Sequence, residues 1–144
     1  MCGITGILFK DSARRPFDLT TGGALVEMLD TLLHRGPDSA GFALYREPLN
    51  EALRLRFFIR EGTEATGDVG RIKQALVAQG AEIIEDETVG CTYGATVRFR
   101  GDIQKFSFAM EHAARMVSLG VSLDIIKDLG HPRELAKRYE IVKF

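Results

Sequence analysis

Apolar residues near the beginning of the chain follow a pattern that predicts a strand, a helix and a second strand. The run Ile4–Phe9 is interrupted only by small residues, which is typical of a strand buried on both faces. Gly41–Tyr45 has a similar character and predicts the second strand. Between them, Thr20 or Thr21 is available as the N-cap of an amphipathic helix. The apolar residues of this helix are Leu25, Met28, Leu29, Leu32 and Leu33.

Four consecutive residues predict where this helix ends. His34 and Arg35 suit the C-terminal end of a helix dipole. Gly36 is free to adopt the left-handed conformation that ends many helices, and Pro37 bars continuation. We therefore expect the helix to end at His34 and Arg35.

An alternation of apolar and basic residues predicts a strand in the next part of the chain. Its apolar positions are Leu55, Phe57 and Ile59, and its basic positions are Arg54, Arg56 and Arg60. Phe58 interrupts the basic face, so the strand is expected to be half-buried at best. No glycine-rich loop or helix start adjoins the arginines, and a solvated face is therefore favoured over an anion site.

The following residues predict a small α/β unit. Gly67–Gln79 carries apolar residues at helical spacing, and Gly80 is well placed to end that helix. Ala81–Glu85 follows as a short strand. Strand, helix and strand in this order predict a right-handed crossover if the strands are parallel.

The rest of the chain predicts a hairpin followed by helices. The hairpin joins Val89–Tyr93 to Ala95–Phe99 around Gly94. Three helices are predicted after it: one through Met110 and Val117 to about Gly120, one from Ser122 to Leu129, and one from Pro132 to about Tyr139. Residues 141–144 have the pattern of the beginning or middle of a strand.

Composition and charge indicate a globular protein and argue against several classes of function. The chain has 144 residues, 45% of them hydrophobic, which suits one domain or a large part of one. A net charge of -1 provides no electrostatic footprint for nucleic acid. The N-terminal apolar run is far too short for a membrane span and lacks a signal-peptide cleavage region. We therefore expect a cytoplasmic protein that binds neither nucleic acid nor membrane.

The cysteines and histidines do not form a recognisable framework. Cys2 and Cys91 are too few for a disulfide scaffold, and Cys91 is expected to be a small buried apolar residue. His34, His112 and His131 lack the spacing of metal ligands. No metal and no cofactor are therefore predicted.

Cys2, directly after Met1, is the strongest chemical feature of the sequence. Methionine aminopeptidases act when the second side chain is small, so we expect the mature chain to begin with cysteine. An α-amine titrates at about pH 8 and a thiol at about pH 8.5, so the amine can accept the thiol proton. One residue then supplies both a nucleophile and its base, as covalent acyl transfer requires. Taken alone, a cysteine that happens to lie second in a strand is the commoner alternative.

Two motifs of the chain resemble those of the class II glutamine amidotransferases. Cys2-Gly3-Ile4 is similar to the start of their N-terminal nucleophile domain, and residues 34–41, His-Arg-Gly-Pro-Asp-Ser-Ala-Gly, are similar to their His-Arg-Gly-x-Asp-Ser-x-Gly segment. The resemblance implies an α/β fold, N-terminal nucleophile hydrolase-like, with sheets sandwiched by helices. Together with the patterns above, it predicts a single partial domain over 1–144, with the nucleophile strand, helix and loop in 1–45. The inserted small α/β region in 46–144 is predicted from the pattern alone.

The resemblance also implies roles for individual residues. Cys2 would attack the side-chain amide of glutamine and release ammonia through a thioester. Arg35 and Gly36 would hold the terminus of the nucleophile and the glutamine pocket. The second motif looks closer to glutamate-synthase-like subunits, including those of N-methylglutamate synthase, than to asparagine synthetases or amidophosphoribosyltransferases. The implied partner is a synthase subunit that receives the ammonia.

Other motifs of these amidotransferases have no counterpart in the chain. Asn50 is the only asparagine and is followed by Glu51, so the Asn-Gly pair that donates to the oxyanion is missing, as is a Gly-His-Thr-Arg segment. We interpret this as a truncation after Phe144. Two alternatives stay open, a non-catalytic regulatory or scaffolding subunit that retains the fold and an amidohydrolase acting on another amide.

Overall fold

The computed structural model describes residues 3–10, 20–36 and 38–144 and divides into two compact units. One, the discontinuous unit, consists of residues 1–41 and 127–144, and the other, the central unit, consists of residues 42–126. The central unit thus interrupts the chain of the discontinuous unit. The predicted division into a nucleophile part, 1–45, and an inserted part, 46–144, concerns the limits of a family domain. It stays a prediction.

Within the described residues the secondary structure is of the α/β class. The helices are α1 (Thr21–Asp30), α2 (Glu64–Ala78), α3 (Ile103–Ala113) and α4 (Pro132–Arg138). The strands are β1 (Ser39–Tyr45), β2 (Ala52–Phe58), β3 (Glu82–Val89), β4 (Thr92–Arg98), β5 (Met116–Gly120) and β6 (Leu123–Leu129).

The central unit is built on a four-stranded sheet whose elements follow one another as β2-α2-β3-β4-α3-β5. The strands lie in the order β3-β4-β2-β5, and each neighbouring pair is antiparallel. This is the split βαβ arrangement of ferredoxin-like folds. The predicted strand, helix and strand are confirmed, but β4 lies between β2 and β3.

One face of this sheet packs against α2 and α3 to form the core of the central unit. Because successive strand residues point to opposite faces, alternate positions of β2 and β4 are directed at the helices. The buried core residues include Leu53, Leu55, Phe57, Tyr93, Ala95 and Val97 from the strands, and Ile72, Leu76, Phe106 and Met110 from the helices. The apolar face predicted for β2 is therefore confirmed.

The hairpin predicted around Gly94 was wrong, because Thr92–Arg98 forms the single strand β4 and the hairpin joins this strand to β3. Gly90, with φ +53°, and Cys91 connect the strands, whereas Gly94 lies inside β4. Gly94 is paired with Arg56 of β2 and with Glu87 of β3. The turn predicted at Gly94 was wrong. The chain does not change direction there, and the glycine instead allows the side chain of Arg56 to come close.

Two segments predicted as helices are the strands β5 and β6. The helix predicted to run to Gly120 is in fact α3, which ends at Ala113, followed by β5. In β6 alternate residues are buried: Asp124, Ile126 and Asp128. Leu129, predicted on the apolar face of a helix, is 73% exposed. The apolar spacing indicated a helix because two of the three inward positions are carboxylates, which a hydrophobic pattern does not register.

A two-stranded sheet joins β1 and β6. The N–H of Arg46 donates to the carbonyl of Ser122 at 2.9 Å, and the N–H of Gly130 donates to the carbonyl of Asp38 at 3.2 Å. These hydrogen bonds flank the strands at opposite ends, so the pair is antiparallel. The strand predicted over Gly41–Tyr45 is confirmed as part of β1.

In the discontinuous unit, α1 begins as predicted but ends earlier. Thr20 is the N-cap, and its side-chain oxygen accepts a hydrogen bond from the N–H of Gly23 at 3.0 Å. The helix ends at Asp30, and Leu33–Arg35 forms a separate 3-10 turn. The predicted helix end at His34 and Arg35 was therefore wrong by about one turn.

The buried face of α1 also differs from the leucine face that was predicted. Its buried residues are Gly22, Ala24 and Val26. A Cβ placed on Gly22 would be 1.8 Å from the carbonyl oxygen of Ile141, whereas Met28 is 38% exposed. Because the C-terminal residues approach α1 closely, the face of α1 with the smallest side chains is the one that is buried. A count of apolar residues does not predict this choice.

The strand predicted over Ile4–Phe9 is absent from the described segment 3–10. Ile4 is 94% exposed and Leu8 is 85% exposed, so the prediction of burial on both faces was wrong for these side chains. A buried strand needs backbone partners. No described strand pairs with this segment.

The C-terminal helix α4 has the predicted Pro132 in its first turn. Arg133 connects it to α1 through Glu27, at 2.7 Å, and Asp30, at 2.9 Å. After it, Ile141–Lys143 forms a 3-10 turn, so the strand predicted there was wrong.

Candidate functional site

Gly3, of the motif Cys2-Gly3-Ile4, lies against a residue that precedes the second motif, residues 34–41. A Cβ built on Gly3 would be 3.0 Å from the Cβ of Leu32, so this position has little room for a larger residue. Leu32 in turn accepts a hydrogen bond from the N–H of Arg35 at 2.9 Å. Gly3 therefore lies against the turn that carries Arg35. Cys2, the predicted nucleophile, lies outside the described residues, and its role stays a prediction.

The second motif, residues 34–41, begins in the 3-10 turn and ends in β1. His34, Arg35 and Gly36 are all exposed, and the N–H of Gly36 donates to the carbonyl of Leu33 at 3.1 Å. Gly36 has φ -166° and ψ 77°, so its predicted left-handed conformation was wrong. Among the described residues no carboxylate forms an ion pair with Arg35.

The central unit holds a second polar arrangement, which the sequence did not predict. Arg56 is only 5% exposed, although its face of β2 was predicted to be solvated. Its Nε and Nη2 donate to the two carboxylate oxygens of Asp124 at 2.9 and 3.0 Å. Further hydrogen bonds join Nη2 to Glu87 at 3.1 Å and Nη1 to Thr92 at 3.3 Å. The solvated-face interpretation was therefore wrong for Arg56.

Charge pairing compensates the burial of Arg56. Desolvation opposes its charged form, but the hydrogen bonds and charges of Asp124 and Glu87 outweigh that effect and raise the pKa of Arg56. Because Asp124 contributes a planar two-point contact, the guanidinium is also fixed in orientation. The only signal that could have revealed this pair is the inward alternation of Asp124 in β6, which the helix prediction concealed.

Gly94 makes this arrangement possible. A Cβ at this position would lie 3.2 Å from the Cζ and both Nη atoms of Arg56. We expect Gly94→Ala to lower the free energy of unfolding by about 1–3 kcal/mol, because the guanidinium of Arg56 must shift from the position in which it pairs with Asp124. Urea denaturation of the variant measures the change. Gly67→Ala is the matched control, since nothing lies within 4 Å of a Cβ there and α2 should gain about 0.5–1 kcal/mol. Equal effects of the two substitutions would contradict this role of Gly94.

The described residues contain neither a metal-binding cluster nor a membrane-spanning helix. No group of three or more histidine, cysteine, aspartate or glutamate side chains could hold a metal ion in the part of the chain that is described. Within the same residues, none of the helices has the length and apolar character needed to cross a membrane.

Comparison with known proteins adds a family context to this geometry. The chain is 28% identical over 143 residues to the glutamine amidotransferase-like protein GlxB of Rhizobium meliloti, an alignment that covers 98% of this chain and 45% of that protein. It is 29% identical over 153 residues to a protein of Methanothermobacter thermautotrophicus provisionally named as a glutamine amidotransferase, with 97% and 47% covered. The chain thus spans about half the length of the curated relatives it matches. No protein-family model matches it. Similarity over nearly the whole chain supports a glutamine amidotransferase.

Proposed function

We propose that this chain supplies the glutaminase part of a glutamate-synthase-like enzyme of the class II type, with Cys2 as nucleophile. The observation that carries the proposal is the packing of Gly3 against Leu32, beside the turn of Arg35 and Gly36. The residue next to the nucleophile and the second motif are thereby brought together. The names of the two relatives support the same chemistry.

The proposed reaction needs the α-amine of Cys2, and therefore removal of Met1. The amine takes the thiol proton, and the sulfur attacks the side-chain amide carbon of glutamine. The carbon–nitrogen bond then breaks, and the proton leaves with nitrogen as ammonia. Water attacks the resulting thioester, the carbon–sulfur bond breaks, and glutamate is released with regeneration of the thiol.

Arg35 and Gly36 are proposed to line the glutamine pocket. Arg35 is exposed and has no ion-pair partner among the described residues, so its charge can be used by a substrate. Gly36 is exposed and directly follows the 3-10 turn whose preceding residue, Leu32, lies against Gly3. The donors that stabilise the oxyanion would come from residues beyond the motifs of this chain.

The proposed setting is a cytoplasmic assembly in which a synthase subunit receives the ammonia. Free ammonia would escape into solvent unless the glutaminase and the acceptor site are docked. The acceptor chemistry therefore belongs to the partner, and glutamine is the substrate proposed for this chain.

A glutamine analogue that carries a diazoketone tests the nucleophile directly. We expect the purified protein to gain one adduct, located by peptide mass spectrometry on an N-terminal peptide that begins with Cys2. Cys91→Ser is the matched control, because it removes the other cysteine and should leave the labelling unchanged. Labelling at Cys91, retention of Met1, or an unmodified Cys2 would contradict the proposal, the last result favouring the scaffolding alternative.

A further inference from the structure

We propose that Leu32 is a positioning residue for the reaction at Cys2, an inference that rests on the proposed function. A Cβ built on Gly3 would lie 3.0 Å from Cβ, 3.1 Å from Cδ1 and 3.4 Å from Cγ of Leu32. The three nearest atoms outside the adjoining residues thus belong to one side chain. Gly3 directly follows the proposed nucleophile, so Leu32 limits where the chain beside Cys2 can lie. Leu32 itself belongs to neither of the two motifs.

The segment that begins at Gly3 lies against the protein along one side. Its odd-numbered residues, Gly3, Thr5, Ile7 and Phe9, are half-buried, whereas its even-numbered residues, Ile4, Gly6, Leu8 and Lys10, are exposed. This alternation fits an extended chain with one side turned inward. No described strand pairs with the segment, so contacts of the half-buried side contribute to holding it in place. At Gly3, Leu32 provides such a contact.

The backbone of Leu32 is held by hydrogen bonds on both sides. Its N–H donates to the carbonyl of Leu29 in α1 at 3.0 Å, and its carbonyl accepts from the N–H of Arg35 at 2.9 Å. The first bond ties Leu32 to the end of α1, and the second closes the turn that carries Arg35. The side chain of Leu32 therefore projects from a fixed point. One residue thus connects the neighbour of the proposed nucleophile to the turn that is proposed to line the glutamine pocket.

A side chain in this place can affect acyl transfer without touching the substrate. The sulfur must approach the amide carbon to within about 3–3.5 Å, and a displacement of about 1 Å can reduce the rate about 100-fold. Replacing Leu32 by alanine removes Cγ and both Cδ atoms but keeps the backbone hydrogen bonds of the turn. The position of the nucleophile should therefore change more than the affinity of the pocket.

The rate at which the diazoketone analogue of glutamine modifies Cys2 measures this effect in the purified protein. Labelling over a range of analogue concentrations gives a maximal rate and a half-saturating concentration. We expect Leu32→Ala to lower the maximal rate about 10–100-fold and to change the half-saturating concentration by less than about threefold. Leu32→Met keeps a similar volume and should retain the maximal rate to within about threefold.

Leu33→Ala is the matched control. Leu33 is also half-buried and adjoins Leu32, but the three atoms nearest to a Cβ on Gly3 all belong to Leu32. The substitution should therefore leave the maximal rate of labelling within about threefold of that of the natural protein. Circular dichroism and urea denaturation of each variant show whether the fold is retained.

A double variant tests the contact from the other side. Gly3→Ala adds the Cβ that would lie only 3.0 Å from Leu32, so the segment must move and labelling should slow about tenfold or more. In Gly3→Ala with Leu32→Ala, two of the three close atoms, Cδ1 and Cγ, are removed. The added methyl group can then occupy part of the vacated space. The double variant should therefore label at least about threefold faster than Gly3→Ala alone.

Three results would overturn this role of Leu32. They are an unchanged maximal rate in Leu32→Ala, a loss of the same size in Leu33→Ala, and a double variant that labels no faster than Gly3→Ala. Each can occur while the natural protein is labelled at Cys2, so the glutaminase proposal would survive. Failure to label Cys2 in the natural protein would instead overturn the glutaminase proposal, and the role of Leu32 with it.

Discussion

Cys2→Ala is expected to reduce glutamine hydrolysis by at least about 1,000-fold, since removal of a covalent nucleophile leaves only binding and orientation. The substitution keeps a small second residue, so removal of Met1 and the α-amine should both be retained. Ammonia release at saturating glutamine measures the loss, and intact mass confirms the processing. Because the thiol of the proposed mechanism acts only in the chemical step, the turnover number should fall while the affinity for glutamine changes little.

The control for this loss is Cys91→Ala. Cys91 lies in the turn between β3 and β4 of the central unit and is half-buried. Its substitution should leave ammonia release within about twofold of the natural protein, because it has no place in the proposed reaction. Activity of the Cys2→Ala variant within tenfold of the natural protein would mean that another group is the nucleophile.

Features set by a few neighbouring residues were predictable from the sequence. Thr20 was predicted as one of two N-caps because its side chain can accept from an N–H three residues later, and it does. Pro132 marks the first turn of α4, and Gly80, with φ +79°, ends α2. In each case the physical cause lies within about one turn of the chain.

Features set by distant packing were not predictable in this way. The apolar spacing in β5 and β6 is compatible with either a helix or a strand, and only pairing with β2 and β1 decides for strands. Gly94 has the appearance of a turn residue, yet a glycine is needed there because the side chain of Arg56, on the neighbouring strand, fills the space beside it. Sequence spacing contains no information on such contacts.

The two candidate sites differ, for the same reason, in how far the sequence could predict them. The two motifs that resemble those of class II glutamine amidotransferases were recognised from contiguous residues, and the structure adds only that Gly3 lies near Leu32. The Arg56–Asp124 pair joins residues 68 positions apart, so an arginine in an alternating strand was interpreted as solvated. Burial of a charge becomes visible only when its partner is located.

The second large effect is expected for Arg56→Met. This change removes the positive charge but leaves Asp124, only 7% exposed, inside the central unit. Removing one partner of a buried pair costs about 3–5 kcal/mol of unfolding free energy. Glu87 should contribute little to this loss, because its side chain is 58% exposed and can turn towards water. Urea denaturation followed by circular dichroism measures the change.

The double variant Arg56→Met with Asp124→Leu separates the charge effect from packing. If the uncompensated carboxylate causes the loss, replacing both partners should restore the unfolding free energy to within about 1–2 kcal/mol of the natural protein. Arg98→Met is the surface control, since Arg98 and Glu82 are both largely exposed and their pair should contribute at most about 1 kcal/mol. A double variant as unstable as Arg56→Met alone would instead mean that the guanidinium acts through its contacts with Glu87, Thr92 and Gly94. The buried pair with Asp124 would then orient Arg56 without stabilising the fold.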